Sequence, residues 1–324
     1  GVWEAAWREQ RQELMRVDGK EKLRVPRQLF INSKRGIRAR HPDLGYFRVR
    51  RAVGDFRTEF EFNSDQWTPA ENIQEIELAL LHDWSISRVR VKEINLQDSI
   101  IKLAERVGGP HDFFRINGVE QAPRFFLENS RSFLNSPNEF FFDRDQRVVQ
   151  LVLNADGNPN QMNMTVPRLE TLVRVRGSEA EPVRGVQFSG ICFSYSSCPL
   201  PSGGYGGIQA SYFENRLVPA HLRKLNTETE SSHLRLSAAI ELSFAEDCGF
   251  LKSTFKHLGG GGIYLGRQTN NCFVKSSQID DVGGCGVMVG EPVTREDPKG
   301  RSLVCDGNAI EGNQISQCGQ VLFG

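Results

Sequence analysis

The feature that most constrains the fold of this chain is a repeat. "HLGGGGIYLG" at residues 257–266 returns 24 residues later as "DVGGCGVMVGE" at 281–291. In that offset Cys248 falls on Cys272, Phe255 on Ile279, Leu258 on Val282, and Gly259-Gly260 on Gly283-Gly284. Ile263, Leu265 and Gly266 fall on Val287, Val289 and Gly290. A fixed period of this length describes small structural units laid one against the next, because no such unit buries its own apolar face alone. Within each unit the residues are those of short strands. "STFKHL" alternates, glycines follow, "IYLG" alternates again, and "CFVKSSQI" is a third stretch after a polar link. Asn270, Asn271 and the glycines suit tight corners, since they tolerate positive φ. No helical period competes, so the expectation is an all-β chain whose repeats are rungs of a parallel β-helix.

The pattern runs in both directions. "NAIEGNQISQCG" (308–319) repeats "CFVKSSQIDDVG" after an insertion containing "TREDPKG" (294–300), and "VQFSGICFSY" (186–195) and "LETLVRVRG" (169–177) carry it upstream. It stops at Gly324 inside a repeat, which reads as a stack truncated at its C-terminal side. The first half differs. "QLFINSKRGIRARHPD" reads as strand, turn, strand, and "FLNSPNEFFFDRDQRVVQLVL" as two strands around "DRDQ". The chain is therefore divided into a β-rich region over 1–165, part rungs and part small β-sandwich-like insertion, and β-helix rungs over 166–324.

With 40 basic and 40 acidic residues the chain has no formal net charge, which leaves no electrostatic case for nucleic acid or an anionic membrane as partner. No apolar run approaches the ~20 residues that span a bilayer. "GVWEAAWREQ" lacks the order of a signal peptide and reads as the start of a trimmed chain. Seven cysteines without a CxxC pair are neither a disulfide scaffold nor a zinc motif. Cys248 and Cys272, stacked by the repeat, are either within disulfide reach or free buried thiols. The sequence calls for no metal and no cofactor.

Strand alternation sends Ile240, Leu242, Ile263, Leu265, Val287 and Val289 inward, and Glu241, Tyr264 and Met288 outward along one face. A carboxylate beside an aromatic ring suits a sugar, whose apolar face the ring covers. Before the glycines, His257 and Asp281 stack in the same way, with Asp280 beside Asp281 and matched to Lys256. Glycosidic cleavage typically takes two carboxyl groups, and the pair read here is Asp281 with Glu241. His257, Tyr264, Asp280 and Glu291 are the candidate substrate-binding residues. Blander readings stand beside these: Glu241 as a solvated surface acid, Asp280 and Asp281 as turn residues bonded to their own backbone, and His257 packing on Asp281 for structure alone.

Taken in order, "RQLFINSKRGIRARHP", "HDWSISRVRV", "RFFLENSRSFLNSPNEFFFDRD", "PRLETLVRVRG", "PVRGVQFSGICFSY", "GGIQA" and the two glycine-rich copies resemble one family. It is the right-handed parallel β-helix glycoside hydrolases of the pectate-lyase-like superfamily, related to α-fucosidases and xylanases acting on plant polysaccharides. The resemblance implies a secreted or periplasmic enzyme with a polysaccharide or oligosaccharide substrate and no metal requirement. It also shows departures: "NSPNEFFFD" stands where many members have "DxPGEWYYD". The family's catalytic carboxylates are not mapped onto this chain, so Asp281 and Glu241 rest on the stacking argument. A polysaccharide lyase and a non-catalytic carbohydrate-binding or structural β-helix are the alternatives.

Overall fold

The computed structural model describes residues 2–6, 14–17, 20–23, 25–67, 70–108, 114–118, 120–155, 157–207, 213–214, 234–291, 296, 300 and 302–322. Most of "TREDPKG" lies outside them. The described elements are strands with a few single-turn 3-10 helices, so the chain is all-β. No helix among the described residues is long and apolar enough to cross a membrane. Two compact units emerge, one comprising Gly1–Val166 with Pro201–Gly206, the other Pro167–Leu200 with Gly207–Gly324.

Unit 1 is built largely from antiparallel pairs. Its largest sheet runs, in spatial order, through Arg40–His41, Arg124–Glu128, Glu77–His82, Ser85–Asn95, Ile100–Leu103, Glu59–Glu61 and Arg51–Val53. A second sheet orders Val2–Ala6, Val148–Val152, Glu139–Asp143 and Ile37–Arg38. Alternation explains how "EFFFD" serves two cores. Phe141 packs with Phe60, Phe125 and Leu127 of the first sheet, while Phe140 and Phe142 join Leu29, Ile31 and Leu151 on the other side. Phe30–Ile31 and Lys34–Arg35 form the short hairpin expected at "INSKRG", with Asn32 and Ser33 at φ 49° and 62°. Two positive-φ residues in a two-residue loop match the twist of the flanking strands.

A buried ionic group crosses unit 1. Glu77 and Glu128 face each other on neighbouring antiparallel strands, an arrangement that is unfavourable by itself. Arginines resolve it. Arg27 forks onto Glu77 at 2.5 and 2.8 Å, Arg88 reaches Glu77 at 3.2 Å and Glu128 at 2.6 Å, and Arg38 lies 3.3 and 3.4 Å from the same two acids. Burial alone would push the Glu77 carboxyl up, but Arg27 and Arg38 outweigh it and hold the group well below the usual carboxylate range. Nearby, buried His82 bonds through Nε2 to Ser87 Oγ at 2.8 Å; Ser87 in turn donates to the Gly206 carbonyl and accepts from the Gly108 amide. Burial, then the Arg57 charge, lowers His82 to about 4.

Unit 2 pairs its strands in four parallel ladders, beside one short antiparallel pair of Phe213–Glu214 with Leu234–Arg235. The first ladder joins Val173–Arg176, Ala238–Ser243, Gly261–Leu265 and Val287–Val289. The second joins Val183–Arg184, Ala245–Glu246 and Thr269–Asn270. The third joins Gln187–Ser189, Gly249–Leu251, Phe273–Lys275 and Ala309–Glu311. The fourth joins Cys192–Ser196, Thr254–Leu258, Gln278–Val282 and Gln314–Ile315. Each ladder therefore takes one strand from each successive level of the chain. The repeat register holds: Phe255 lies on Ile279, Leu258 on Val282, Ile263 on Val287 and Leu265 on Val289.

Stacked identical positions make the core of this unit. Phe188 lies over Phe250 at 5.1 Å between ring centres and 9° between planes, and Phe193 over Phe255 at 5.2 Å and 13°. Ile240, Leu242, Ile263, Leu265, Val274 and Ile279 fill the same interior. Each such side chain, fully buried, contributes about 1.5–3 kcal/mol. Cys248 and Cys272 stack here as free thiols whose sulfurs approach backbone carbonyls rather than each other, Cys248 that of Glu246 at 3.2 Å and Cys272 that of Ala245 at 3.4 Å. Burial raises the Cys272 thiol to about 11.

Candidate functional site

The corners between ladders are turned by single residues with left-handed backbone. Between the second and third ladders these are Gly185, Asp247, Asn271 and Gly307; between the third and fourth, Gly190, Lys252, Ser276 and Gly312. A third column lies within the fourth ladder: Tyr195 (φ 64°), His257 (57°), Asp281 (50°) and Gln317 (48°). The flanking residues Ser194, Lys256 and Asp280 and, beyond the bend, Ser196, Leu258 and Val282 remain in register. This corrects the expectation that the double glycines supply the positive φ. Gly259 and Gly283 lie outside the left-handed region; they are there because a Cβ on Gly283 would sit 1.9 Å from the Gly259 carbonyl oxygen, and one on Gly259 would sit 2.6 Å from that of Ser196. The glycines let levels approach, and His257 and Asp281 turn the chain.

That corner brings His257 and Asp281 together. The imidazole Nδ1 lies in hydrogen-bond contact with Asp281 Oδ2 at 2.8 Å, and both side chains are almost fully buried. On its other side the imidazole is stacked on the Tyr195 ring, with centres 5.2 Å apart and planes 22° from parallel. Tyr195 escaped the sequence reading. Aligning "CFSYS", "TFKHL", "QIDDV" and "QISQC" by ladder position puts Tyr195, His257, Asp281 and Gln317 in one place, and that alignment was the available signal.

Glu241, Tyr264 and Met288 share one register on the first ladder, below Arg174. Their exposure differs from the expectation of an open outer face, since Glu241 and Tyr264 are each only 6% exposed. Strand alternation fixes the side on which a residue projects and says nothing of what covers it. Glu241 Oε2 accepts from Arg174 Nε at 3.1 Å, and its Oε1 from the Ala238 amide at 3.4 Å. The Tyr264 ring lies over Gly266, where any Cβ would meet Cε1 at 2.3 Å. Asp281 and Glu241 thus sit on neighbouring ladders, Asp281 with His257 and Glu241 with Arg174. Asp280 is bound away from Asp281, accepting from Ser316 Oγ at 2.7 Å. Glu291 is half-buried just past the first ladder. Among the described residues no group of three or more His, Cys, Asp or Glu side chains is arranged to hold a metal ion.

In general a carboxyl group and an imidazole can exchange protons with a substrate, and an aromatic ring can cover the apolar face of a sugar. Cross-level ion pairing by itself is a general device here, because Arg184–Glu246 and Lys275–Glu311 repeat the Arg174–Glu241 geometry at exposed positions.

Comparison with known proteins bears on both units. No match was found among curated proteins. A solved structure titled "Glycoside hydrolase" is similar with a TM-score of 0.76 at 19% sequence identity, covering 99% of this chain and 57% of that one. At that identity the likeness is one of fold, and this chain spans a little over half the length of that protein. Residues 16–152, all within unit 1, match the family model described as "GH141 insertion domain", so this stretch is similar to an insertion domain of a glycoside hydrolase family.

Proposed function

We propose that the chain is part of a glycoside hydrolase acting on a complex polysaccharide, that unit 2 is a right-handed parallel β-helix of the pectate-lyase-like kind, and that unit 1 is its insertion. The four parallel ladders, the match over 16–152 and the likeness to a glycoside hydrolase support this reading. The observation that carries the site is the Asp281–His257 pair, a carboxylate and imidazole joined at a left-handed corner one ladder from Glu241. Asp281 and Glu241 are the proposed catalytic pair, one giving a proton to the leaving oxygen and the other serving as base or nucleophile. Tyr264 and His257 line the site, with Asp280 and Glu291 at its margins. A polysaccharide substrate places the protein outside the cytoplasm, secreted or periplasmic.

The test is a screen of the purified chain against plant, algal and animal polysaccharides, following reducing ends and, separately, ultraviolet absorbance from unsaturated uronates. New reducing ends without absorbance, falling by about 100-fold or more in Asp281→Asn and Glu241→Gln, are expected for acid–base catalysis by this pair. Absorbance would make the protein a lyase. A folded chain that binds glycans without cutting them would make it a binding β-helix.

A further inference from the structure

We propose that Tyr195 and His257 are positioning residues for Asp281: the left-handed column they share and the stacked Tyr195 ring hold His257 as an Nδ1–H donor, which fixes the Asp281 carboxylate in one orientation. This deepens the reading of Asp281 as one of two catalytic carboxyls and rests on it.

The backbone carries the first part of the case. A positive φ costs a non-glycine residue about 1–2 kcal/mol, and glycine, with asparagine and aspartate next, meets the need most cheaply. The Gly185–Asp247–Asn271–Gly307 column follows that preference throughout, and the Gly190–Lys252–Ser276–Gly312 column does so at its two ends. The Tyr195–His257–Asp281–Gln317 column has no glycine at any level and puts an aromatic ring and an imidazole at φ 64° and 57°. Other corners of the unit also hold bulky or polar residues at positive φ, Phe244 and Lys252 among them, so what sets this column apart is the direct contact of its side chains.

The side chains carry the second part. Rotating the imidazole by half a turn would replace Nδ1 with a carbon and break the 2.8 Å bond to Asp281. The Tyr195 ring, nearly parallel at 5.2 Å, restricts the other way out, which is tilting. With both partners nearly buried, the bond is stronger than its equivalent in water. Of the adjacent charged residues, Asp280 is bonded to Ser316. An N–H aimed at Oδ2 matches a carboxylate rather than a protonated carboxyl. The pair therefore suits Asp281 to the charged half of the reaction, base or nucleophile.

The experiment has two arms on the whole chain. Side-chain NMR of the ¹⁵N-labelled protein is expected to show His257 protonated at Nδ1 in the wild type, and to lose that preference in Asp281→Ala. A wild type protonated at Nε2 alone overturns the proposal whether or not any substrate has been found. The kinetic arm uses the polysaccharide that the wild type cuts. His257→Asn keeps a donor where Nδ1 stood and tolerates positive φ, so its kcat is expected to exceed that of His257→Phe by about tenfold or more. His257→Phe keeps the stacked ring without the donor and is expected to lose about 100-fold in kcat, the scale of a misplaced reacting group. Wild-type kcat in His257→Phe, with melting unchanged, overturns the proposal. A wild type that cuts nothing while its tautomer is as expected removes the hydrolase reading and leaves the positioning geometry standing.

Discussion

Gly283→Ala distinguishes two reasons for a glycine, and the structure predicts a large cost for the less familiar one. The new Cβ would sit 1.9 Å from the Gly259 carbonyl oxygen, where real contacts begin near 3.0 Å, so the two levels must part by 3.0 − 1.9 = 1.1 Å. No rotamer relieves this, because backbone meets backbone. Overpacking costs about 1–3 kcal/mol. The shift also stretches the bonds from the Gly283 amide to the Leu258 carbonyl and from the Gly284 amide to the Gly260 carbonyl, both 2.8 Å. At about 1 kcal/mol each, the sum is about 3–5 kcal/mol. Gly312→Ala is the control. It has φ +62° but ample space, its Cβ meeting Ser276 Oγ at 3.8 Å and the Ser276 amide nitrogen at 4.0 Å. Its expected cost is about 1 kcal/mol, the left-handed penalty less the entropy removed from the unfolded chain. Urea unfolding followed by far-UV circular dichroism, with amide exchange at 278–290, reads the difference in unit 2. Tryptophan emission serves as an internal reference, since all four tryptophans of the sequence fall before residue 85, within the span of unit 1. If Gly283→Ala costs no more than Gly312→Ala, the glycines are there for backbone freedom and the close-approach argument is wrong.

Two further predictions use titration. His82, at about 4 when folded against 6.5 ordinarily, refuses in the folded state a proton that the unfolded chain accepts. Its contribution is complete above pH 6.5 and declines as pH falls toward 4, on the order of 3 kcal/mol in all. Tryptophan-detected unfolding of unit 1 should show that decline, and His82→Gln should flatten it; an unchanged slope in the variant would sink the assignment. In unit 2, the Cys272 thiol, raised to about 11 and buried with Cys248, should resist a disulfide reagent at pH 8 that labels exposed Cys192. Native labelling of Cys272 at the rate of Cys192 would contradict the packed, stacked thiols.

What could be read from the residues, and what could not, follows from the range of each interaction. The pairings Phe255–Ile279 and Ile263–Val287 were legible because a repeat of fixed length stacks like on like, and a slip of one residue would turn every aliphatic side chain outward. The ionic group of unit 1 was not, because Arg27, Arg38, Glu77, Arg88 and Glu128 are spread over a hundred residues with no local period to join them. The burial of Glu241 was hidden for a related reason, as alternation gives direction and coverage is tertiary.

The corner is the most instructive case. Glycine is ordinarily the mark of positive φ, so the double glycines of the repeat drew the turn to themselves, whereas the residues with positive φ are a tyrosine, a histidine, an aspartate and a glutamine. Both facts have one cause. Levels in a parallel ladder lie about 4.8 Å apart, and where the chain passes from the fourth ladder to the first, the Gly283 backbone comes so close to that of Gly259 that no side chain fits. With those positions closed to everything but glycine, the change of direction falls to the residue two places earlier. That residue must accept strain but is free in side chain, which is why polar groups able to act together collect at 257 and 281 and not at the glycines beside them, while Tyr195, followed by Ser197, shares the bend.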